Sequence, residues 1–173
     1  GEIRAEYVVN AAGYRAGELG KMFGRDVPCV SLAHQYLITE PIAELTARDE
    51  KLPLLRDPDS SYYLRQEKDG LLLGPYEKNC RAHWLSSDDP MPDDFSFQLY
   101  NDDLERLEWY IEDACARVPI LGTAGITRVV NGPIPYTPDG LPLIGPMPSV
   151  PNAFEACVFT FGIVQAGGAG KLL

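Results

Sequence analysis

The sequence predicts an α+β fold around a mixed, largely antiparallel sheet with flanking helices. Three features carry this. Several runs are rich in β-branched and aromatic residues. Two of them meet at a tight polar turn. One long segment repeats apolar residues at helical spacing. At 173 residues and 45% hydrophobic content, the chain can bury a sizeable core.

The elements follow in order. "AEYVVNAAG", residues 5–13, predicts a buried strand running into a tight turn. "RAGELGKMFG" predicts a short helix. Residues 29–42 predict a long strand stopped at Pro41, with Leu32, His34, Tyr36 and Ile38 on one face and Ala33, Gln35, Leu37 and Thr39 on the other. "SYYLRQ" and "GLLLGPYE" predict a hairpin turning at Asp69-Gly70. The polar, proline-bearing stretch from Cys80 to Phe95 reads as a loop. Residues 101–118 predict the clearest helix, on a stripe of Leu104, Leu107, Ile111, Ala114, Cys115 and Val118. Asp102 and Glu105 have capping-box spacing, and Pro119 ends the helix. "GITRVVNG" predicts a strand. A loop held by Pro133, Pro135, Pro138, Pro142 and Pro146 follows, then a strand in "AFEACVFTFG" and a helix from Gly162.

Composition excludes several classes. The net charge of −10 argues against general nucleic-acid binding, which needs a basic face. No stretch has the length of a membrane span. Cys29, Cys80, Cys115 and Cys157 are scattered without a CxxC pair, so they read as reduced thiols and not as a zinc site. No metal is expected. The closing "GIVQAGGAGKLL" fails the phosphate-loop pattern, because Gln165 and Leu172 stand where glycine and Ser/Thr are needed. Its small residues permit close approach to a ligand or to another helix.

Candidate chemistry is sparse. His34 lies mid-strand and reads either as a hydrogen-bonded structural histidine or as a catalytic one. Tyr63 and Arg65 share a strand face, as ordinary cross-strand packing or as a phenol and guanidinium for an anionic substrate. "NGPIPYTPDGLPLIGP" is a rigid loop, either a connector or a backbone platform for a ligand.

Taken in order, "VVNAAG", "HQYLIT", "SYYLRQEKDGLLLGPYE", "NGPIPYTPDGLPLIGP" and "FGIVQAGGAGK" resemble the flavin-dependent dimethylglycine and sarcosine dehydrogenase family over residues 7–173. The resemblance implies a flavoenzyme: residues 1–28 would end an FAD-binding part, 29–130 form a substrate domain, and 131–173 return to the FAD. It also implies an internal fragment. The N-terminal Rossmann fingerprint, the histidine that carries covalent flavin and a folate-binding region would lie outside it. By resemblance, Ala12 and Gly13 approach the FAD, as do Thr137, Pro138, Asp139 and Gly140. Gly162, Ile163 and Val164 present N–H groups to the flavin ring. His34 and Tyr63 are the active-site pair, and Tyr62 faces away. Gln165 departs from relatives with histidine nearby, so its side chain has no implied role.

The implied reaction is oxidative demethylation of a methylated amine such as dimethylglycine or sarcosine, within one-carbon metabolism. Formaldehyde is released or trapped by tetrahydrofolate. The electron acceptor is not fixed by the sequence, and cytoplasm and mitochondrial matrix both suit reduced cysteines. The alternative is a non-catalytic regulatory relative of the same family.

Overall fold

The structure is a computed structural model that describes residues 1–85 and 88–173. In chain order it contains β1 (Val8–Asn10), a 3-10 turn (Gly13–Arg15), α1 (Ala16–Met22), β2 (Val30–Thr39), α2 (Ala43–Thr46), β3 (Leu55–Asp57), β4 (Tyr62–Glu67), β5 (Gly70–Pro75) and β6 (Ala82–His83). A 3-10 turn (Leu104–Leu107) then leads into α3 (Glu108–Arg117). After a further 3-10 segment (Pro119–Thr123) come β7 (Ile126–Tyr136), β8 (Leu143–Pro146), β9 (Ala153–Cys157) and α4 (Gly162–Leu172). The chain divides into two compact units. One comprises Gly1–Leu32, Ala82–Pro92 and Pro133–Leu173, and the other Ala33–Arg81 and Asp93–Gly132.

The second unit is built on antiparallel strands in the order β3-β4-β5-β2, with β7 also paired to β2. Register aligns Leu55, Leu64, Leu73 and Leu37 in one row across the four strands. Neighbours in register share a face, so this row forms one apolar surface. Leu107, Tyr110 and Ala114 join it in a single buried cluster with Leu71, Tyr62 and Leu121. Each fully buried leucine contributes roughly 1.5–3 kcal/mol. The α3 stripe thus includes Tyr110, while Leu104 is 46% exposed.

Three local expectations are corrected here. The hairpin pairs Glu67 with Gly70, so the turn is Lys68-Asp69, with Lys68 at φ 54°. Gly70 is glycine for a different reason: a Cβ there would lie 2.8 Å from Thr39 Oγ1 and 2.9 Å from the Glu40 carbonyl. The helix cap is Asp103, whose carboxylate accepts from Arg106 N at 3.4 Å, and not Asp102. The first turn is 3-10, and a tighter turn moves the cap one residue along. Pro133 and Pro135 belong to β7 and Pro146 ends β8, so these three are not loop residues. Among the described residues β7 pairs with β2 alone, and an edge strand tolerates residues that cannot donate to a ladder.

The first unit holds a three-stranded sheet, β1-β9-β8, with β1 parallel and β8 antiparallel to β9. Its buried cluster is Ala16, Cys157 and Val158, with Val27, Cys29 and Leu143 packed against them. Asn10 is fully buried, and its amide donates to the Ala16 carbonyl at 3.1 Å. Val8 and Val9 are 45% and 41% exposed, so β1 is not the buried strand expected. Among the described residues β9 is its partner. Within the stretch expected as loop, Ala82 and His83 form β6 and pair with Leu32 and Ser31. Ser86 and Ser87 lie outside the described residues. Helix α4 lies against β8 through Ala169, while Gly167, Gly168 and Gly170 have nothing within 4 Å of a built Cβ. The close helix packing expected of those glycines is therefore not seen among the described residues.

Candidate active site

The site begins with strand alternation. In β2, Ser31, Ala33, Gln35, Leu37 and Thr39 are buried, and Leu32, His34, Tyr36 and Ile38 are half-buried on the other face. Register sets Arg56 opposite Tyr63 and Tyr63 opposite Gly74. Continuing the β2–β5 pairing by one step sets Gly74 opposite Tyr36. Arg56, Tyr63, Gly74 and Tyr36 therefore share the face that carries His34. Arg65 pairs with Leu72 and lies on the same side. Tyr62 points into the core at 1% exposure, so the two adjacent tyrosines occupy opposite faces.

Gly74 is a necessary gap. A Cβ there would collide with the Tyr63 ring, whose Cζ, Cε1 and hydroxyl oxygen lie against this glycine. Tyr76 packs beside Tyr63 with ring centres 5.8 Å apart, and the Arg56 guanidinium sits 5.1 Å from the Tyr76 ring centre. Burial first, then neighbouring Tyr76, raises the Tyr63 pKa, and Arg65 opposes the rise. Tyr63 is thus held as a protonated phenol at neutral pH. Arg65 is paired with Glu67.

His34 has a second set of neighbours. Its Nδ1 lies 4.0 Å from Glu77 Oε1, and the Glu77 side chain is only 3% exposed. That carboxylate accepts from Gln35 N at 2.9 Å through Oε1, and from Arg106 Nε at 2.8 Å through Oε2. A terminal nitrogen of Arg106 donates to the same Oε2 at 2.6 Å and to the Ala33 carbonyl at 3.0 Å. Gln35 exchanges two 2.9 Å hydrogen bonds with the Asp103 backbone. Burial pushes the His34 pKa below the ordinary histidine value; Glu77 pulls it up and Arg106 pushes it down. The imidazole is neutral at pH 7 because burial outweighs the Glu77 charge, which Arg106 already offsets. A cavity of about 390 Å³ opens beside the pair, lined by Glu77, Lys78, Asn79, Arg106, Trp109 and Tyr110.

The residues expected to approach a cofactor all lie in the first unit. Ala12 N–H donates to Asn10 Oδ1 at 3.3 Å, and Gly13 opens the 3-10 turn. Thr137 Oγ1 donates within its own turn to the Leu141 carbonyl at 2.6 Å and lies 2.9 Å from Asp139 Oδ1. The Leu141 N–H, and then the Thr137 hydroxyl, hold the Asp139 pKa below its usual value. Buried Thr137 and exposed Asp139 thus fasten the turn, and Pro138 and Gly140 are exposed beside them. Helix α4 starts at Gly162 with no side-chain cap from Phe161. Its first N–H groups, from Gly162 to Val164, precede the first intrahelical acceptor and carry the positive end of the dipole. These donors fit the electron-rich edge of a flavin ring, so the chemistry of this segment is compatible with FAD.

Residues that sequence reasoning missed are Glu77, Arg106, Tyr76, Tyr36 and Arg56. All are set by register or by contacts across many positions. Only "GPYEK", directly after a strand, offered a local signal, because a glutamate beside a strand end can reach a histidine on the neighbouring strand. The cysteines are free. Among the described residues no group of three metal-binding side chains occurs, and no helix is long and apolar enough to cross a membrane.

The second unit thus carries half-buried His34 and the tilted Tyr63–Tyr76 ring pair on one sheet face, and the first unit carries the Thr137 turn and the uncapped start of α4. The whole chain, residues 1–173, matches the family described as FAD dependent oxidoreductase, and it belongs to that family. It is 46% identical to mitochondrial dimethylglycine dehydrogenase of Rattus norvegicus, over all of this chain and 20% of that protein. It is 38% identical to mitochondrial sarcosine dehydrogenase of Homo sapiens, over all of this chain and 18% of that one. The chain therefore spans about a fifth of these relatives. Among solved structures, iminodiacetate oxidase from Chelativorans sp. BNC1 superposes with a TM-score of 0.74 at 18% identity, over 99% of this chain and 42% of that one. That likeness speaks to the fold.

Proposed function

We propose that this chain carries the substrate face and part of the cofactor contacts of an FAD-dependent enzyme that oxidatively demethylates an N-methylated glycine, dimethylglycine or sarcosine. The observation that carries the reading is one sheet face grouping a neutral, half-buried imidazole, three tyrosines and two guanidinium groups. The names of the relatives supply the substrate class.

In this reading each group has a task. Arg56 or Arg65 takes the substrate carboxylate, which a guanidinium matches in a two-pronged contact. The faces of Tyr36, Tyr63 and Tyr76 receive the methylated ammonium. Neutral His34 accepts the ammonium proton and frees the lone pair that hydride loss from a methyl group requires. The phenol of Tyr63 donates a hydrogen bond that orients the substrate. FAD, when bound, supplies a two-electron acceptor. Ala12, Gly13, the turn of Thr137, Pro138, Asp139 and Gly140, and the N–H groups of Gly162, Ile163 and Val164 are the residues proposed to hold it. Tetrahydrofolate, as a trap for the formaldehyde, draws on no residue of this chain. Residues 1–28 and 131–173 are assigned to the cofactor part and 29–130 to the substrate part, although residues 82–92 cluster with the former.

The test uses the full-length protein. Anaerobic mixing with dimethylglycine or sarcosine should bleach the flavin. His34→Ala and Tyr63→Phe should each lower kcat/KM by roughly tenfold or more. No bleaching by either amine would overturn the reading and leave the non-catalytic relative in its place.

A further inference from the structure

We infer that Glu77 and Arg106 are positioning residues for His34: the Glu77 carboxylate holds the Nδ1 side of the imidazole, and the Arg106 guanidinium occupies that carboxylate so that the imidazole stays neutral. This rests on the reading of His34 as an active-site base.

The geometry is specific. Glu77 is a buried carboxylate with its two oxygens divided between tasks. Oε1 accepts the Gln35 N–H and faces His34 Nδ1 at 4.0 Å, while Oε2 takes both Arg106 donors at 2.8 and 2.6 Å. Arg106 is itself fixed by the Ala33 carbonyl, one residue before His34, and lies 3.7 Å from the Asp103 carboxylate. Both anchors of Glu77 therefore run to the backbone of β2 on either side of His34. A contact of 4.0 Å is too long for a direct hydrogen bond, so the carboxylate acts through charge and orientation. The negative side favours a proton on Nδ1 and so makes Nε2 the acceptor nitrogen of the neutral ring.

The charged groups around His34 oppose each other in a defined way. Glu77 favours the imidazolium and Arg106 disfavours it. Asp103 tempers Arg106. Cys80 lies within the field of the same pair, and its thiol is raised mainly by burial. Removing Arg106 leaves Glu77 uncompensated. Removing the Glu77 charge leaves Arg106 balanced by the more distant Asp103 carboxylate.

The experiment follows the His34 resonance in full-length protein labelled with [13Cε1]histidine, assigned by its loss in His34→Asn, alongside the pH profile of kcat/KM. Arg106→Gln should move the His34 titration and the acid limb upward by about one pH unit; Glu77→Gln should move both downward by a similar amount. Arg106→Lys keeps the charge and should restore most of the parent value, which keeps the test open where Arg106→Gln folds poorly. General loosening of the site would shift both variants upward, toward a solvated histidine. Equal direction in Glu77→Gln and Arg106→Gln, or no shift in either, overturns the inference. Normal kinetics in His34→Asn with opposite resonance shifts would instead sink the active-site reading alone.

Discussion

Among the described residues of the second unit, eleven buried side chains from Leu37 to Leu121 form one cluster beneath the sheet. In the first the buried cluster is Ala16, Cys157 and Val158. The candidate chemistry differs in the same sense. The second unit offers side chains, His34, Tyr63 and the Glu77–Arg106 pair, each fixed by neighbours on a packed sheet. The first offers backbone N–H groups from turns and from the start of α4, where Ile163 and Val164 are 97% and 86% exposed. Side-chain chemistry needs rotamers locked to a fraction of an ångström, and a deep core supplies that. Backbone donors are already fixed by the turn or helix that carries them.

The comparison breaks most sharply in the deep core. Leu107 is fully buried where the 3-10 turn meets α3, and Leu107→Ala should cost about 2–5 kcal/mol. Hydrogen exchange on the full-length protein should show that loss at the β4 and β5 amides. The β1 and β9 amides should keep their protection. Equal loss in both units would mean that the two do not open separately.

Gly74 tests whether the core serves the site. Gly74→Ala should push the Tyr63 ring off the sheet, because the new methyl occupies its place. We expect about a tenfold fall in kcat/KM with little change in melting temperature, since the core row on the other face is untouched. Unchanged kinetics would show that the resting place of the Tyr63 ring is irrelevant to turnover.

These cases show what was legible. The period-two alternation of residues 30–39 reads directly, because one face of β2 packs on the core and the other does not. The approximate positions of the hairpin and of α3 read from the same kind of pattern. Single-residue features did not: the turn at Lys68-Asp69 and the cap at Asp103 depend on local φ/ψ choices that leave little trace in periodicity. Pro133 and Pro135 look like loop residues until β7 is known to be an edge. His34 and Tyr63 stood out through resemblance. Their partners did not, because Arg106 reaches Glu77 from 29 positions away, and only register and packing bring them together.

Cys157 probes the thin core through pH. Burial pushes its thiol up to about 12, from an ordinary value of 9.0. Unfolded chains release this proton near pH 9 and folded chains do not, so stability present below pH 9 is lost as pH rises toward 12. The loss should reach about 1–2 kcal/mol by pH 10. Cys157→Ala should flatten that alkaline decline, seen as a smaller drop in melting temperature between pH 8 and pH 10. An identical decline in the variant would assign it to other groups.

The smallest effect concerns the turn at Thr137. Its hydroxyl donates to the Leu141 carbonyl at 2.6 Å, and the Asp139 carboxylate accepts the Leu141 N–H at 3.0 Å. Thr137→Val keeps the shape and removes the hydroxyl, which should cost about 1 kcal/mol. If this turn presents backbone to the cofactor, flavin affinity in the full-length protein should fall along with that stability. Thr137→Ser, which restores the hydroxyl, should recover most of both. Loss of stability in Thr137→Val without any change in flavin affinity would leave the turn as a plain connector. Cofactor contact in the first unit would then rest on the start of α4 and on the Ala12-Gly13 turn.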